Sequence, residues 1–110
     1  MKLGSKVRFS DDKIRSSFEG LEKTKDGKRV KGWLIRAFED IEENAFCGIQ
    51  IPKRLIPKEY LQKYKINNLW KYNLPNAWRL MYSIENQEIL VVSIILEWID
   101  HKNYEKRFKY

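Results

Sequence analysis

Apolar and polar positions alternate briefly near the start of the chain and then take up a helical spacing. In "KVRFS", Val7 and Phe9 alternate with charged or polar residues, which predicts a short strand. Ser10 or Asp11 then supplies an N-cap, and apolar residues follow at i, i+4 and i+7, so one face of a first helix is apolar. These apolar residues are Ile14, Phe18 and Leu21.

A second, longer helix is predicted from about Arg29 to Glu43. The preceding "TKDGK" (Thr24–Lys28) has the composition of a turn, and a wide apolar stripe follows it. The stripe consists of Val30, Trp33, Leu34, Ala37, Phe38 and Ile41. We expect the two helices to form a hairpin that lies on a sheet. Further on, "IPKEYLQKY" predicts a short helix with Pro57 in its first turn.

From Ile66 onward the pattern is typical of strands. The three predicted strands cover residues 67–74, 77–85 and 88–99. Tight turns at Pro75–Asn76 and Asn86–Gln87 favour an antiparallel meander, and the third strand is apolar on both faces, as a central strand should be. Asp100 can cap a last short helix. The predicted class is therefore α+β, with an N-terminal strand and a helical hairpin packed on a mainly antiparallel sheet, and a short C-terminal helix.

Composition limits the chemistry that this chain can carry. Its 110 residues suffice for one domain, spanning residues 1–110. The single cysteine excludes an internal disulfide and a zinc site built on paired cysteines. With only one histidine, a metal site would have to consist mainly of carboxylates, and no acidic cluster indicates one, so we expect no metal and no cofactor. The longest apolar run, Ile89–Leu96, is far short of the ~20 residues of a spanning helix, and the opening residues lack the apolar stretch of a secretion signal. We expect a cytoplasmic protein with no membrane partner.

A net charge of +7 favours a nucleic acid or another anionic partner. The alternation of side chains along the predicted strands indicates on which face of the sheet some of these cations lie. Arg79 shares one face with Met81 and Ser83, and Lys71 and Asn73 share one face of the preceding strand. Lys71 and Arg79 can thus converge on an open sheet surface, where an anion would relieve their repulsion. The alternative, which parity alone favours, is that each cation meets its own carboxylate or points into water.

Two interpretations are open for the residues that follow the third strand. His101 can be a helix-start residue without chemistry, or a group that carries a proton near neutral pH, with Tyr104 on the same side of a helical turn. Cations and aromatic rings then alternate. They are Lys102, Arg107, Phe108 and Tyr110. Rings among cations can stack on splayed RNA bases, but they also pack an ordinary C-terminal helix.

The order of these segments resembles the RelE/ParE superfamily of type II toxin–antitoxin toxins. The middle strand carries "WRLMY" (Trp78–Tyr82), and "HKNY" (His101–Tyr104) follows the third strand. The chain looks most like archaeal RelE-type, plasmid-stabilisation proteins. The resemblance covers about Leu69 to Tyr110 and is only topological before that.

The resemblance to the RelE branch implies a metal-independent endoribonuclease that cleaves mRNA, typically in the ribosomal A site, and so inhibits translation. Arg79 matches the strand arginine that stabilises the phosphate, and Lys71 matches a basic residue on the preceding strand. His101 stands where relatives carry a catalytic His or Arg, and Tyr104 or Tyr110 matches a C-terminal tyrosine. Four other polar or aromatic residues near these positions would contact the RNA. They are Asn73, Lys102, Arg107 and Phe108.

The chain also departs from the RelE pattern. Only Lys71 fits the denser lysines of RelE, Asn73 takes the other position, and no glutamate base has a counterpart here. The base stays open between His101 and a tyrosine, and the long "IPKRLIPKEY" connection has no assigned role. The alternative function is therefore that of a ParE-like gyrase inhibitor, or of an inactive relative that binds only an antitoxin. Either function implies a cognate antitoxin, expected as an acidic, partly disordered segment that folds as it binds.

Overall fold

The computed structural model describes residues 2–87 and 90–108, and it confirms the predicted α+β class. The main elements are β1 (Lys6–Phe9), α1 (Asp12–Gly20), α2 (Lys25–Glu43), β2 (Ile49–Gln50), α3 (Lys58–Tyr64), β3 (Trp70–Asn73), β4 (Arg79–Asn86), β5 (Val91–Ile99) and α4 (His101–Phe108). They form one five-stranded sheet in the order β1-β5-β4-β3-β2. β1 runs parallel to β5, and the other neighbours are antiparallel, so the sheet is mixed but mainly antiparallel. The predicted start of the third strand, residues 88–89, lies outside the described residues.

β4 and β5 form the centre of the sheet, and β5 is buried on both faces as the sequence predicts. Their register shifts once, because Met81 lies opposite Glu97 whereas Tyr82 lies opposite Ile95. Leu96 is thus the extra residue of a β-bulge, and its side chain joins the core on the α4 side of the sheet.

The helical hairpin packs on one face of the sheet, as predicted. Leu34, Ala37 and Ile41 of α2 are fully buried, and they form one core with Leu80 and Tyr82 of β4. Aromatic residues of α1 and α2 extend this core towards β1. Phe18 lies 5.3 Å from Phe9 and 5.4 Å from Phe38, measured between ring centroids. The apolar face of α2 therefore packs against the face of β4 that carries every second, apolar side chain.

The predicted turn at "TKDGK" is wrong, because α2 begins within it. The Thr24 hydroxyl accepts a hydrogen bond from the Gly27 amide (2.9 Å), which makes Thr24 the N-cap of a helix that starts at Lys25. The reversal of the chain comes earlier, in a short 3-10 segment at Leu21–Lys23. Gly27 is required by close approach, since a Cβ atom there would lie 2.0 Å from the Leu21 carbonyl oxygen.

Replacing Gly27 with alanine should destabilise the protein even though alanine favours helices. The new methyl group would overlap the Leu21 carbonyl oxygen, and the hairpin would have to open to relieve the overlap. We expect a loss of about 1–3 kcal/mol in the free energy of unfolding, measured by urea titration. Gly32→Ala is the matched control, because nothing lies within 4 Å of the position that a Cβ atom would take there, and helix propensity alone should make that variant more stable. Equal behaviour of the two variants would contradict the close approach.

The connection between α2 and α3 is anchored by one tyrosine of β4. The Tyr82 hydroxyl donates to the Ala45 carbonyl oxygen (2.7 Å) and accepts from the Gly48 amide (3.1 Å). This contact places Ile49 and Gln50 beside β3, where they form β2, a strand that the sequence pattern does not predict.

The opposite face of the sheet is not the open surface that strand parity predicts. A second core lies there, in which Met81, Leu96 and Ile99 pack with Tyr60 of α3 and Tyr104 of α4. The long connection and both short helices therefore act as a second layer. Parity assigned the residues to the correct face, but it could not show that distant parts of the chain cover that face.

Candidate functional site

Lys71 and Arg79 lie on the same face of neighbouring strands, as the sequence predicts. In the register of β3 and β4, Lys71 is opposite Met81, and Asn73 is opposite Arg79. Directly opposed residues of an antiparallel pair share a face, so both cations point to the side that carries α4. Both side chains are partly buried at the edge of the second core.

Tyr104 is the group on which the two cations converge. The Lys71 Nζ donates a hydrogen bond to the Tyr104 hydroxyl (3.1 Å) and lies 5.1 Å from the ring centroid, and the Arg79 Cζ lies 5.0 Å from the same centroid. Such distances are those of cation–π contacts. The Tyr104 side chain is only 1% exposed. The sequence led us to expect an anion, a carboxylate or water as the partner of these cations, whereas the structure places a buried aromatic ring beside them.

Arg79 has hydrogen-bonding capacity that the described residues do not use. Its Nη1 donates to the Trp78 carbonyl oxygen (3.3 Å), whereas its Nε is buried and finds no acceptor among residues 2–87 and 90–108. A buried N–H without an acceptor costs free energy. Because the Nε is buried, an oxyanion would have to meet the guanidinium where the partly exposed side chain reaches solvent.

His101 lies at the same end of the sheet as Arg79. Arg79 is opposite Ile99 at the end of β5, and α4 begins two residues later at His101. Asp100 caps this helix as predicted, accepting from the Asn103 amide (2.9 Å). The imidazole is about half exposed, and its Nε2 contacts Glu105 Oε1 (2.5 Å), so this carboxylate orients the ring.

The residues predicted to contact RNA divide into two groups. Lys102 and Asn73 are exposed, and Asn73 lies opposite Arg79. Arg107 and Phe108 have internal contacts instead. Arg107 forms a bidentate ion pair with Glu97 (2.9 and 3.0 Å), and the Phe108 ring stacks on Tyr104 at 4.5 Å between centroids. Tyr110, the other predicted tyrosine, lies outside the described residues.

Glu97 connects three elements beside this site. It accepts a short hydrogen bond from the Tyr60 hydroxyl of α3, and it pairs with Arg107 of α4. Burial is the main cause that raises the pKa values of Tyr60 and Tyr64, and the negative charge of the nearby Glu97 carboxylate is the second. The pKa of Tyr60 lies well above its usual value, and that of Tyr64 is about 12. The cluster holds α4 against α3 and β5, and thereby holds Tyr104 next to the two cations.

Raised tyrosine pKa values predict a loss of stability in alkaline solution. Burial, assisted by Glu97 at Tyr64 and by the 2.5 Å hydrogen bond to Asp40 at Tyr72, raises the pKa of both phenols from 10.0 to about 12. Between these values the unfolded chain loses its phenolic protons before the folded protein does, so the stability present below pH 10 should be lost as the pH rises through about 12. Urea titrations across this window should show that loss, and a smaller one in Tyr64→Phe. An identical pH profile in that variant would contradict the assignment.

A cleft opens next to Lys71, between the connection that follows α2 and the C-terminal helix. We call it the Lys71 cleft, and it has a volume of about 540 Å³ including space open to solvent. Its walls are mainly apolar. They are formed by Ile49, Gln50, Ile51, Pro52, Leu55, Lys71, Tyr104 and Phe108. Because Lys71 belongs both to this cleft and to the cation pair, the two features form one continuous site.

Among the described residues, no three His, Cys, Asp or Glu side chains are grouped so that they could hold a metal ion. Within the same part of the chain, no helix is both long and apolar enough to cross a membrane. Comparison with protein-family models, with curated proteins and with solved structures finds no match to this chain. The likeness to RelE/ParE toxins therefore stays a prediction that rests on the residues quoted above.

Proposed function

We propose that this chain is the toxin of a type II toxin–antitoxin system and acts as a metal-independent endoribonuclease on mRNA, most effectively on the ribosome. The observation that carries the proposal is the convergence of Lys71 and Arg79, both partly exposed, on Tyr104. Two fixed cations on one face of the sheet match the need of a phosphodiester for charge neutralisation.

The reaction would be an internal transfer at phosphorus. The ribose 2′-oxygen would attack the adjacent phosphate and lose its proton to a base, while the 5′-oxygen would leave and take up a proton, giving a 2′,3′-cyclic phosphate and a 5′-hydroxyl. Arg79 would donate hydrogen bonds to the phosphoryl oxygens, with Lys71 beside it. His101 is the better candidate for proton transfer, because it is about half exposed whereas Tyr104 is buried and bound to Lys71.

One observation favours the second candidate function, which involves no catalysis. The Tyr104 hydroxyl already accepts from Lys71, and His101 already contacts Glu105, so two of the candidate catalytic groups have protein partners. A ParE-like gyrase inhibitor, or an inactive relative that only binds an antitoxin, would use the same residues as surface contacts. In this function His101 would be dispensable.

Induction of the protein in growing cells would separate the two functions. An endoribonuclease should stop translation first and leave mRNA fragments with 5′-hydroxyl ends, whereas a gyrase inhibitor should first change plasmid supercoiling. His101→Gln should weaken the former effect and leave the latter unchanged. Intact mRNA on translating ribosomes after addition of the purified protein would reject the nuclease proposal.

Under both functions we propose a cytoplasmic protein that a cognate antitoxin neutralises. The +7 net charge supports an acidic partner, whose attraction would speed the encounter. A role in plasmid stabilisation would follow if toxin and antitoxin are inherited together.

A further inference from the structure

We propose that the Lys71 cleft binds an unstacked nucleobase of a single-stranded RNA whose phosphate lies at Lys71 and Arg79. The inference rests on the proposed function for the position of the phosphate, and it adds the site of the base. Lys71 lines the cleft and also donates to the Tyr104 hydroxyl, so a phosphate held by these cations places its own nucleoside at the mouth of the cleft.

The chemistry of the walls matches a flat heteroaromatic ring. Ile51 and Phe108 offer apolar surface, and Phe108 is already stacked on Tyr104 with ring centroids 4.5 Å apart. Bases taken out of a stack bind between aromatic and apolar side chains in single-stranded RNA complexes.

Two large apolar side chains at the rim of the cleft are exposed to solvent, although neither needs to be exposed for the protein to fold. Ile49 is 51% exposed and Leu55 is 54% exposed, although both stand beside the second core. Lys53 and Arg54 lie next to Leu55 in the same short segment and are exposed. A ligand that is apolar at one end and anionic at the other would cover the isoleucine and leucine and also meet the cations.

An extended peptide is the competing occupant, and the edge of the sheet argues against it. The Ile51 amide donates to the Leu69 carbonyl oxygen (2.8 Å), so the alternate residue Gln50 directs its own N–H and C=O away from β3. Pro52 has no N–H to offer. Along the outer edge of β2, only Gln50 therefore directs both its N–H and its C=O outward. One residue offers too few backbone hydrogen bonds to hold an added peptide strand.

The test compares ligands that share a phosphate and differ in the base. Adenosine and uridine 3′-monophosphates, ribose 3-phosphate and inorganic phosphate would be titrated into the full chain by calorimetry. We expect the nucleotides to bind more tightly than the two phosphates without a base. In the variant Ile49→Ser/Leu55→Ser, this advantage should fall by about tenfold while phosphate binding stays unchanged. Both substituted side chains are more than half exposed, so folding should be preserved.

The matched control is Leu61→Ser, which changes a 40% exposed leucine on α3 that does not line the cleft. It should bind nucleotides as the wild type does. Equal affinity for nucleotides and inorganic phosphate, or a double variant with an unchanged advantage, would overturn the base site. So would preferential binding of an acidic peptide with alternating apolar residues.

Failure of the base site can be distinguished from failure of the nuclease. If wild type cleaves RNA and the double variant cleaves every sequence as well as wild type does, the base site is rejected and the nuclease remains. If wild type leaves RNA intact on translating ribosomes while the cleft still distinguishes nucleotides from phosphate, the nuclease is rejected and the base site remains.

Discussion

Replacing Arg79 with alanine should reduce RNA cleavage by roughly 10²- to 10³-fold. The guanidinium donates a hydrogen bond to the Trp78 carbonyl oxygen and lies 5.0 Å from the Tyr104 ring, so it is held in place before any phosphate arrives. In the proposed nuclease reaction, a preorganised donor of this kind would stabilise the charge that develops on the phosphoryl oxygens. The rate would be measured with a labelled mRNA on stalled ribosomes, at saturating substrate. The loss should appear mainly in kcat, because the interaction strengthens in the transition state.

Arg29→Ala is the matched control for this experiment, because Arg29 is exposed on α2 and away from the cation pair. It removes the same charge and should keep nearly full activity. Arg79→Lys would separate charge from geometry, since lysine cannot reproduce the planar fork of the guanidinium. If Arg79→Ala cleaves RNA as fast as Arg29→Ala does, Arg79 has no part in the chemistry.

Replacing Leu96 with alanine should lower the free energy of unfolding by about 2–5 kcal/mol. Leu96 is fully buried in the second core and is the extra residue of the β-bulge, so truncation leaves a space that neither strand can close easily. If the face of the sheet beside α4 were open to solvent, the same change would instead be nearly neutral. Urea denaturation followed by tryptophan fluorescence gives the difference directly.

The control for this variant is Leu61→Ala on α3, where the side chain is 40% exposed. It removes the same number of carbon atoms and should cost well under half as much. Similar losses in the two variants would mean that α3 and α4 do not form a core with the sheet.

Local patterns predicted most of the elements of this fold. The helical spacing of Leu34, Ala37 and Ile41 and the strand parity of β4 depend only on near neighbours, and the structure confirms both. The cap at Asp100 likewise depends on residues within one turn. The shared face of Lys71 and Arg79 follows from the same local rule once the tight connection of β3 and β4 is assumed.

What sequence could not predict depends on contacts between distant residues. β2 has only two residues and exists because Tyr82 holds the backbone at Ala45 and Gly48. The predicted first strand of the meander was too long for a similar reason. The side chain of Asn68 takes the place of backbone pairing, since its amide both accepts from the Ile84 N–H and donates to the Ile84 carbonyl oxygen (both 2.8 Å).

The ion pair between Arg107 and Glu97 could not be predicted from the sequence either. Its partner Glu97 lies ten residues earlier, and the helical phase that brings the two together depends on where α4 begins. A signal existed, because Glu97 is an acidic residue within an apolar strand and needs a partner if it is buried. The ion pair with Glu97 gives Arg107 a role in positioning α4, and its contact with RNA stays a prediction.

The parallel pairing of β1 with β5 has a consequence for how the molecule is made. Lys6 lies opposite Val92, so the earliest strand to leave the ribosome finds its neighbour only when nearly all the described elements have been synthesised. Loop closure over such a separation is slow compared with the formation of local hairpins. The nascent chain should thus remain incompletely folded until β5 has emerged. Under the proposed function, this delay would keep a growing copy from acting on the ribosome that produces it.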